Sequence, residues 1–528
     1  MKSIHGWLKQ SFNICRNNIW DTLFVLFIVV NIFARLGNFE NKYFLGVGDS
    51  SRDYLVARHI VKYQEYPLVG PWNSVYDSLR NSPVYYYALA LLVAVRDDLL
   101  FLGVVNIVLQ AVVVLLVYAL AKEMFSPPTA LAASTIYGLS ALSFNQSSFL
   151  WQPFFSLPFA WIGYWLLWKG FLRSDHWYLI GAVGIEMVAA ALHFSVLAIL
   201  PAFLLLTCLF LWSTKPRPWQ WVFFGIFILL ASAGLFLPVV EHLFRNRAAG
   251  SLIEKSLYIG TPVELLENFI QNISTFFGYF LFYGHNFSPI VLKGATAATL
   301  LLFGAYQCIQ KDRTGKARFW ILLSFIFFPL LLASFIKKPI YDHFFTPLYG
   351  LLAIAIAETL HGFIPKKLNA VKVFLVLLLT YFASDKLFNF RFDGAYENLT
   401  TVRNAALAMR NVVTLKQKDD KVFSGNFIIE VYKKGDGRTH NDSIFWTQLE
   451  LLTGNKYTQV VNYGNSYVPL NTDGYIFLVC QRYVLFKDAQ NECLQKFHAD
   501  FPHHVLIVPV YAQDVFEIFL TQKRPVLQ

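Results

Sequence analysis

Long apolar segments separated by short polar ones run from Ile19 to Leu387. A helix needs about 20 consecutive, mainly apolar residues to cross a bilayer, and this template predicts eleven membrane-spanning helices. Their approximate ranges are 19–36, 99–121, 128–144, 153–170, 177–191, 194–213, 219–239, 289–309, 319–336, 344–362 and 371–388. The apolar stretch 177–213 is too long for one span, so we expect a turn near His193 to divide it.

The pattern changes after residue 390. Strand-like runs, rich in β-branched and aromatic residues, alternate there with helix-like segments. These runs are 422–432, 475–486 and 505–510. The sequence therefore predicts two domains. An all-α polytopic membrane domain occupies 1–390, and a soluble α/β or α+β domain occupies 391–528.

Composition supports a membrane protein. Hydrophobic residues make up 56% of the 528 residues and charged residues only 15%, whereas soluble globular chains carry about 25% charged residues. These numbers exclude a disordered chain and a collagen-like fibre, and they make an ordinary soluble enzyme a poor fit. The net charge of +11 matters mainly for which loops carry it, and no nucleic-acid partner is predicted.

Lys and Arg are distributed unevenly among the predicted loops, and loops rich in them favour the cytoplasmic side. Applied to the plasma (inner) membrane, this rule predicts a cytoplasmic N-terminus, near Lys2 and Lys9. Because the number of predicted spans is odd, the domain 391–528 is then extracytoplasmic. The loops 37–98 and 240–288 lie on the same side.

Cys480 and Cys493 are the two cysteines of the predicted soluble domain. Outside the membrane they could form a disulfide that closes a short loop. Two unpaired buried thiols are the alternative, and the sequence leaves both open.

The first outer loop, residues 37–98, is rich in charged and aromatic residues. Asp49 and Asp53 lie within one turn of a helix that is predicted to start near Ser50. A carboxylate at the mouth of a span is well placed as a general base towards an incoming hydroxyl. Asp49 could equally be a simple helix cap, and the spacing leaves both interpretations open. The aromatic stretch 83–95 is predicted to lie in the interface as an amphipathic helix.

His193 has two interpretations as well. It lies within a long apolar stretch, and polar groups at membrane depth are costly and tend to be functional. A turn at His193 would instead make it an interfacial residue.

Four short segments stand out by their order and spacing. They are Gly-Asp-Ser-Ser-Arg-Asp at 48–53, Asn-Ser-Pro-Val-Tyr-Tyr-Tyr at 81–87, Phe-Leu-Trp-Gln-Pro at 149–153 and Lys-Lys-Pro-Ile-Tyr-Asp-His-Phe-Phe-Thr-Pro at 337–347. Together they resemble motifs of the GT-C superfamily of membrane glycosyltransferases. The resemblance covers about residues 1–390 and is strongest to the bacterial branch with family 39, the protein O-mannosyltransferases and the aminoarabinose lipid A transferases.

Each segment is similar to one motif of that branch. Asp49 matches the catalytic Asp of the acidic motif after the first span, and Ser50 departs from the acidic or Gln residue that usually follows. Asp53 matches a later Asp of one variant of that motif. Gln152 replaces the Asn of an Ile-Trp-Asn-Pro motif. The segment 337–347 resembles a late outer loop whose basic, Tyr and His residues lie near the lipid phosphate.

The resemblance implies a GT-C-like fold and a reaction. The enzyme would move a sugar from a polyprenyl-phosphate-linked donor, held in the lipid bilayer, to an extracytoplasmic lipid, glycan or protein acceptor. Asp49 would be the general base, and Asp53 a second carboxylate that a double displacement could use. Cations would hold the leaving phosphate. The candidates for binding donor phosphate or substrate are Arg58, Arg245, Lys337, Lys338, Tyr341, His343, His193 and Gln152.

Several alternatives stay open. Lysines at a span end, such as Lys337 and Lys338, often anchor to lipid headgroups. No cofactor is predicted, and Asp342 with His343 falls short of a metal-ligand set, although a divalent cation remains compatible with the sequence. A transporter or flippase of lipid-linked glycans would usually show paired halves, which we do not see. A polysaccharide polymerase or ligase would concentrate its chemistry in a large mid-chain loop, whereas the acidic motif lies in the first loop.

Overall fold

The chain divides into two compact units. The computed structural model describes residues 19–37, 48–71, 80–148, 150–214, 218–245, 261–282, 313–335, 342–364, 373, 376–377, 399–419, 427–433, 437–439, 443–460, 467–469, 475–481, 489–513 and 516–523. Unit 1 comprises Met1–Gly37, Trp72–Tyr85 and Val104–Phe390, and unit 2 comprises Asn38–Pro71, Tyr86–Gly103 and Arg391–Gln528. Unit 2 thus combines the predicted soluble domain with two stretches of the first outer loop. Both stretches belong to the region 1–390 that was predicted as the membrane domain.

The described part of the region before residue 390 is helical. In chain order the helices are α1 (Ile19–Leu36), α2 (Gly48–Tyr63), α3 (Val84–Val95), α4 (Leu99–Met124), α5 (Pro127–Gly138), α6 (Ala141–Ser147), α7 (Gln152–Arg173), α8 (His176–Leu192), α9 (Leu200–Thr214), α10 (Pro218–Arg245), α11 (Pro262–Phe282), α12 (Arg313–Ala333) and α13 (Thr346–Phe363). Short 3₁₀ helices occupy Phe194–Ala198 and Asp342–Phe345.

Most predicted spans that fall on described residues coincide with these helices. The turn near His193 is confirmed, because α8 ends at Leu192 and a 3₁₀ helix separates it from α9. The helix predicted for 83–95 is confirmed by α3, while its place in the membrane interface stays a prediction. The predicted span 289–309, and nearly all of 371–388, lies outside the described residues.

The predicted span 128–144 is wrong as a single helix. Helix α5 ends at Gly138, and α6 begins at Ala141 after Ser140, whose hydroxyl accepts a hydrogen bond from Ser143 N. The break exposes backbone carbonyls that α1 satisfies: Arg35 donates to Gly138 O at 2.9 Å, as does Asn31 Nδ2 at 2.8 Å. Buried carbonyls and a buried guanidinium thus satisfy each other, which hydropathy alone does not reveal.

Helix α11 lies within a region that the sequence analysis treated as an outer loop, 240–288. Its start is a capping box: Thr261 N donates to Glu264 Oε2 at 2.8 Å, and Glu264 N donates to Thr261 Oγ1 at 3.3 Å. The Thr-Pro-Val-Glu sequence at 261–264 was therefore a helix-start signal that the hydropathy template overlooked.

Helices α1 and α4 are, within the described residues, long and apolar enough to cross a membrane. Helix α1 also exposes a stripe of large apolar side chains that includes Val25, Leu26 and Phe33. Such a contiguous apolar face is unfavourable in water and suits contact with lipid. These features indicate a membrane protein, while the number of spans and their orientation stay predictions.

Unit 1 has an apolar core in which α13 packs closely against α7. Gly350 on α13 faces the indole of Trp161 on α7, and both Trp161 and the neighbouring Tyr349 are fully buried. A Cβ at Gly350 would clash with the Trp161 ring and lie 2.9 Å from Val117 Cγ2. The missing side chain at Gly350 is therefore what allows the two helices to approach.

The C-terminal part of unit 2 is an α/β structure. Its helices are α14 (Leu399–Asp419), α15 (Ser443–Thr453) and α16 (Ala489–Asp500), and its strands are β1 (Phe427–Lys433), β2 (Gly437–Thr439), β3 (Thr458–Val460), β4 (Tyr467–Pro469), β5 (Tyr475–Gln481), β6 (His504–Gln513) and β7 (Phe516–Lys523). Strands β1, β5 and β6 confirm the three strand predictions.

Five strands form a mixed sheet in the order β2-β1-β5-β7-β6, and β3 pairs with β4 separately. Strands β1 and β5 are parallel, with Phe427 opposite Tyr475, and the other neighbouring pairs in the sheet are antiparallel. A parallel pair needs a crossover connection, and α15 lies within the one between β1 and β5. Because α15 belongs to this connection, it lies in the same domain as the sheet.

Cys480 and Cys493 form a disulfide that joins β5 to α16, with a Cα–Cα distance of 5.8 Å. Of the two alternatives that the sequence left open, the bonded one is therefore correct. Both cysteines lie in a small apolar cluster with Ile476, Leu478 and Phe497.

We predict that Gly350→Ala destabilises the full chain. Overpacking a buried site typically costs about 1–3 kcal/mol, which exceeds the gain of about 1 kcal/mol in helix propensity. The measurement is the melting temperature of the purified protein in detergent, which should fall. Gly225→Ala on α10 is the matched control, because an added Cβ there meets nothing within 4 Å, and its melting temperature should stay equal or rise. Equal melting temperatures for Gly350→Ala and wild type would contradict the close packing.

Candidate active site

Helix α2 carries the predicted acidic motif at its N-terminus. Asp49 lies inside the first turn of this helix, which includes Gly48, and not at the N-cap position that its capping interpretation requires. Its carboxylate forms an ion pair with the Arg52 guanidinium, and its side chain is 39% exposed. Asp49 is therefore the acidic group of this motif that water and a substrate can reach.

Arg52 links the two predicted carboxylates. Its Nε and Nη2 donate to Asp53 Oδ1 at 2.9 and 2.7 Å, while Nη1 donates to Asp49. Residues three and four apart share one face of a helix, so Asp49, Arg52 and Asp53 align along α2. The Asp53 side chain is fully buried, at 0% exposure. Burial alone would lower the pKa of Arg52, but the charges of Asp49 and then Asp53 raise it well above its ordinary value, so the guanidinium stays charged.

Tyr86 on α3 adds a phenol to this cluster. The residue is fully buried. Burial raises its pKa, and the nearby Asp53 charge raises it further. Tyr86 belongs to the Tyr-Tyr-Tyr run of the second motif. It was not predicted as a site residue, because a run of tyrosines resembles an apolar helix face.

Arg58 lies two turns further along α2 and is almost completely buried, at 1% exposure. Its Nε donates to Asp97 Oδ2 at 3.1 Å, and its Nη1 donates to Glu450 Oε2 at 3.2 Å. A third bond runs from Nη2 to the Glu450 backbone oxygen at 3.1 Å. The guanidinium is thus engaged with protein groups of unit 2, which argues against the phosphate-binding role considered for it from the sequence.

Asp97 receives hydrogen bonds from three side chains. Tyr54 Oη donates to Oδ1 at 2.6 Å, and Lys62 Nζ lies 2.7 Å from Oδ2, which Arg58 also contacts. Burial alone would raise the pKa of Asp97, but the hydrogen bonds from Lys62, Tyr54 and Arg58 lower it below its ordinary value. The carboxylate is therefore ionised at neutral pH.

Gln152 lies in unit 1 at the start of α7. Its Oε1 accepts a hydrogen bond from Asn81 Nδ2 at 3.2 Å, and both residues are buried. The second and third motifs of the sequence analysis, 81–87 and 149–153, therefore meet in space through these two residues.

His193 ends α8 and begins the following 3₁₀ helix. Its Nδ1 lies 2.7 Å from Ser195 Oγ and accepts a hydrogen bond from Ser195 N at 3.2 Å. Its ring centroid lies 5.9 Å from that of Phe344, so the end of the fourth motif, 337–347, packs beside it. The hydrogen bonds give His193 a local structural role at the turn.

Five other candidates lie wholly or partly outside the described residues. Lys337, Lys338 and Tyr341 lie outside the described residues, and so do the side chains of His343 and Arg245. The backbone of His343 belongs to the 3₁₀ helix Asp342–Phe345, and that of Arg245 ends α10. Within the described part of the chain, no group of three His, Cys, Asp or Glu side chains is arranged to hold a metal ion.

Three residues were assigned no role from the sequence: Arg52 on α2, and Asp97 and Glu450, which contact Arg58. Arg52 was visible as the basic residue between two acidic ones. Asp97 and Glu450 carried no local signal, because they lie about 40 and 390 residues from Arg58 in the chain.

No protein-family model matches the chain, and no curated protein does. Among solved structures, the fold is similar to ArnT from Cupriavidus metallidurans bound to undecaprenyl phosphate, with 12% identity and a TM-score of 0.44 over 82% of this chain and 75% of that one. It is also similar to the arabinosyltransferase EmbB from Mycobacterium smegmatis, with 14% identity and a TM-score of 0.40 over 63% of this chain and 30% of that one.

The Archaeoglobus fulgidus oligosaccharyltransferase, in complex with zinc and sulfate, is similar at 12% identity and a TM-score of 0.42, over 80% of this chain and 61% of that one. At these identities and TM-scores the likeness is one of fold, and no residue role or substrate is inferred from it.

We predict that Asp97→Asn lowers the stability of the folded chain more at neutral pH than in acid. Because the pKa of Asp97 is lowered by folding, its stabilisation is complete above its unfolded value of about 3.9 and is lost as the pH falls through the lower folded value. The expected cost near pH 7 is about 1–3 kcal/mol. Melting temperatures of wild type and variant should differ near pH 7, and the difference should be smaller at about pH 3.

Asp98→Asn is the matched control for this prediction. Asp98 Oδ1 accepts from Leu100 N at 2.9 Å at the start of α4, and Asn caps a helix about as well as Asp. The control should therefore melt like wild type. A constant difference between Asp97→Asn and wild type at both pH values would show that the charge of Asp97 is not what stabilises this region.

Proposed function

We propose that the chain is a membrane glycosyltransferase. It transfers a sugar from a polyprenyl-phosphate-linked donor to a lipid, glycan or protein acceptor on the extracytoplasmic side of the plasma (inner) membrane. The four sequence motifs support this proposal, and so does the apolar, largely helical character of the described residues between 19 and 363. The orientation belongs to the proposal and follows the Lys and Arg distribution, with the N-terminus cytoplasmic and the domain 391–528 outside.

The observation that carries the proposal is the contrast between the two carboxylates on α2. Asp49 is partly exposed and Asp53 is fully buried, and one guanidinium bridges them. A general base must reach the proton that it removes, and its carboxylate must be held in a productive direction. Asp49 meets both conditions, because Arg52 fixes its orientation and Asp53 in turn fixes Arg52.

The reaction would be a direct displacement. Asp49 accepts the proton of the acceptor hydroxyl while the hydroxyl oxygen bonds to the anomeric carbon, and the bond to the polyprenyl phosphate breaks with its electron pair leaving on the phosphate. A single displacement inverts the anomeric centre. A double displacement would need a nucleophile that touches the anomeric carbon, and the burial of Asp53 argues against that role.

The leaving phosphate gains negative charge and needs cations. We propose Lys337, Lys338 and Arg245 for this task, with Tyr341 and His343 as hydrogen-bonding partners. Arg58 is removed from this group because its guanidinium is buried between Asp97 and Glu450. Gln152 and His193 are proposed to support substrate binding in unit 1. The proposal includes no metal or other cofactor.

We predict that Asp49→Asn abolishes transfer without unfolding the chain. Asn has nearly the same shape but cannot accept the proton, and loss of a general base typically costs about 10²- to 10⁴-fold in rate. The assay uses the protein in lipid nanodiscs with the polyprenyl-phosphate sugar that co-purifies with it, identified by mass spectrometry. Asp175→Asn, at the exposed N-cap of α8, is the control and should retain the full rate. A wild-type rate for Asp49→Asn would remove Asp49 as the base.

We predict that Arg52→Lys lowers kcat by about tenfold to a hundredfold, as expected for a misplaced catalytic group. Lysine keeps the positive charge but has a single ammonium, which cannot reproduce the planar fork that contacts Asp49 and Asp53 together. Arg173→Lys is the control, since Arg173 makes an exposed hydrogen bond to Tyr178 and its replacement should leave kcat unchanged. Equal kcat values for Arg52→Lys and wild type would show that the bridge does not orient the base.

A further inference from the structure

Helix α15 of the C-terminal domain packs against helix α2, which carries the acidic motif, and both belong to unit 2. The contact has two polar attachment points. Near the start of α2, Thr447 Oγ1 donates to the Ser51 backbone oxygen at 3.0 Å. Further along, Glu450 binds both Arg58 and His59. Ser51 and Arg58 are seven residues apart, or about 10 Å along a helix axis, so α15 holds α2 at two levels.

Glu450 is the centre of the second attachment point. It is fully buried, and its Oε2 lies 2.8 Å from His59 Nε2 and 3.2 Å from Arg58 Nη1. Its Oε1 accepts from Tyr457 N at 3.0 Å, Thr458 N at 3.1 Å and Thr458 Oγ1 at 2.9 Å. The Glu450 carboxylate therefore joins α2 to the residues that follow α15, and each of these contacts is within hydrogen-bond distance.

The charges around Glu450 form a closed network. His59 Nδ1 lies 3.1 Å from Glu65 Oε2, and Glu65 also pairs with Lys456 of the C-terminal domain. Each ring nitrogen of His59 thus lies within hydrogen-bond distance of a carboxylate oxygen. A buried ion pair that loses one member leaves the other uncompensated. The network can therefore form only when the C-terminal domain is docked on α2.

We propose that Glu450 is a positioning residue for the acidic motif, and that the C-terminal domain is required for catalysis because it orients α2. A helix fixed at two levels can neither rotate nor slide, so the direction of Asp49 at its N-terminus is set by α15. The catalytic part of this inference rests on the proposed function. The docking of α15 on α2 does not, and the two are measured separately.

The test compares Glu450→Gln with wild type in the full chain. Gln preserves the size and one acceptor but removes one of the two carboxylates that Arg58 and His59 each contact. Hydrogen exchange followed by mass spectrometry should show faster exchange in peptides covering 48–63, and exchange in α7 and α8 of unit 1 should not change. Transfer assays should show kcat reduced at least tenfold with the donor KM unchanged, because the residues proposed to bind the donor phosphate lie elsewhere in the chain.

A second variant keeps the proposal falsifiable if Glu450→Gln does not fold. Thr447→Val removes only the hydroxyl that reaches Ser51, at the end of α2 nearest Asp49. Its kcat should fall about threefold to tenfold, and Thr447→Ser, which restores the hydroxyl, should recover it. Thr453→Val is the matched control on the same helix, because the Thr453 hydroxyl donates to Leu449 O within α15, and it should keep the wild-type kcat.

Unchanged exchange over 48–63 and unchanged kcat in a folded Glu450→Gln variant would overturn the proposal, as would a wild-type kcat in Thr447→Val. A rise in donor KM at constant kcat would also overturn it, since that result assigns the contact to binding. If wild type itself transfers no sugar, the proposed function fails, and the exchange measurement still decides whether Glu450 holds α2.

Discussion

The charges buried on helix α2 must be compensated by partner groups, and this requirement governs the structure around the proposed catalytic motif. Four titratable side chains of this helix, Arg52, Asp53, Arg58 and His59, are nearly inaccessible to water. Leaving one such charge without its partner costs about 3–5 kcal/mol, a large fraction of the stability of a typical domain. The helix therefore requires partners from distant parts of the chain, and Asp97 and Glu450 supply them.

This requirement gives the two carboxylates of the acidic motif different properties. Asp53 is neutralised inside the protein by Arg52, whereas Asp49 pairs with the same guanidinium at the edge and stays partly exposed. A base must be accessible, and a rigid base needs an anchored neighbour. The arrangement of buried anchor, bridging arginine and exposed carboxylate provides both within two turns of one helix. Arg58 is buried between Asp97 and Glu450, so its guanidinium contacts the interior of unit 2 and is not available to a substrate.

Much of the fold was predictable because it depends on local patterns. Apolar runs of about 20 residues specify helices in a membrane environment, and β-branched runs specify strands, so α1, α4, α7, β5 and β6 were anticipated. The failures have local physical causes. The predicted span 128–144 is broken between Gly138 and Ala141, where Gly138 O accepts hydrogen bonds from Arg35 and Asn31. Helix α11 was missed because its capping box, not its hydropathy, marks its start.

The sequence by itself predicted an apolar, largely helical region before residue 390, an α/β segment after it, and a shared helix turn for Asp49 and Asp53. Period and spacing carry that information, since they depend on neighbours in the chain. Only the tertiary structure decided that Cys480 bonds Cys493, that Asp49 is accessible while Asp53 is not, and that Glu450 holds Arg58 and His59. Accessibility and charge compensation depend on groups hundreds of residues apart, and no local pattern records which of them will meet.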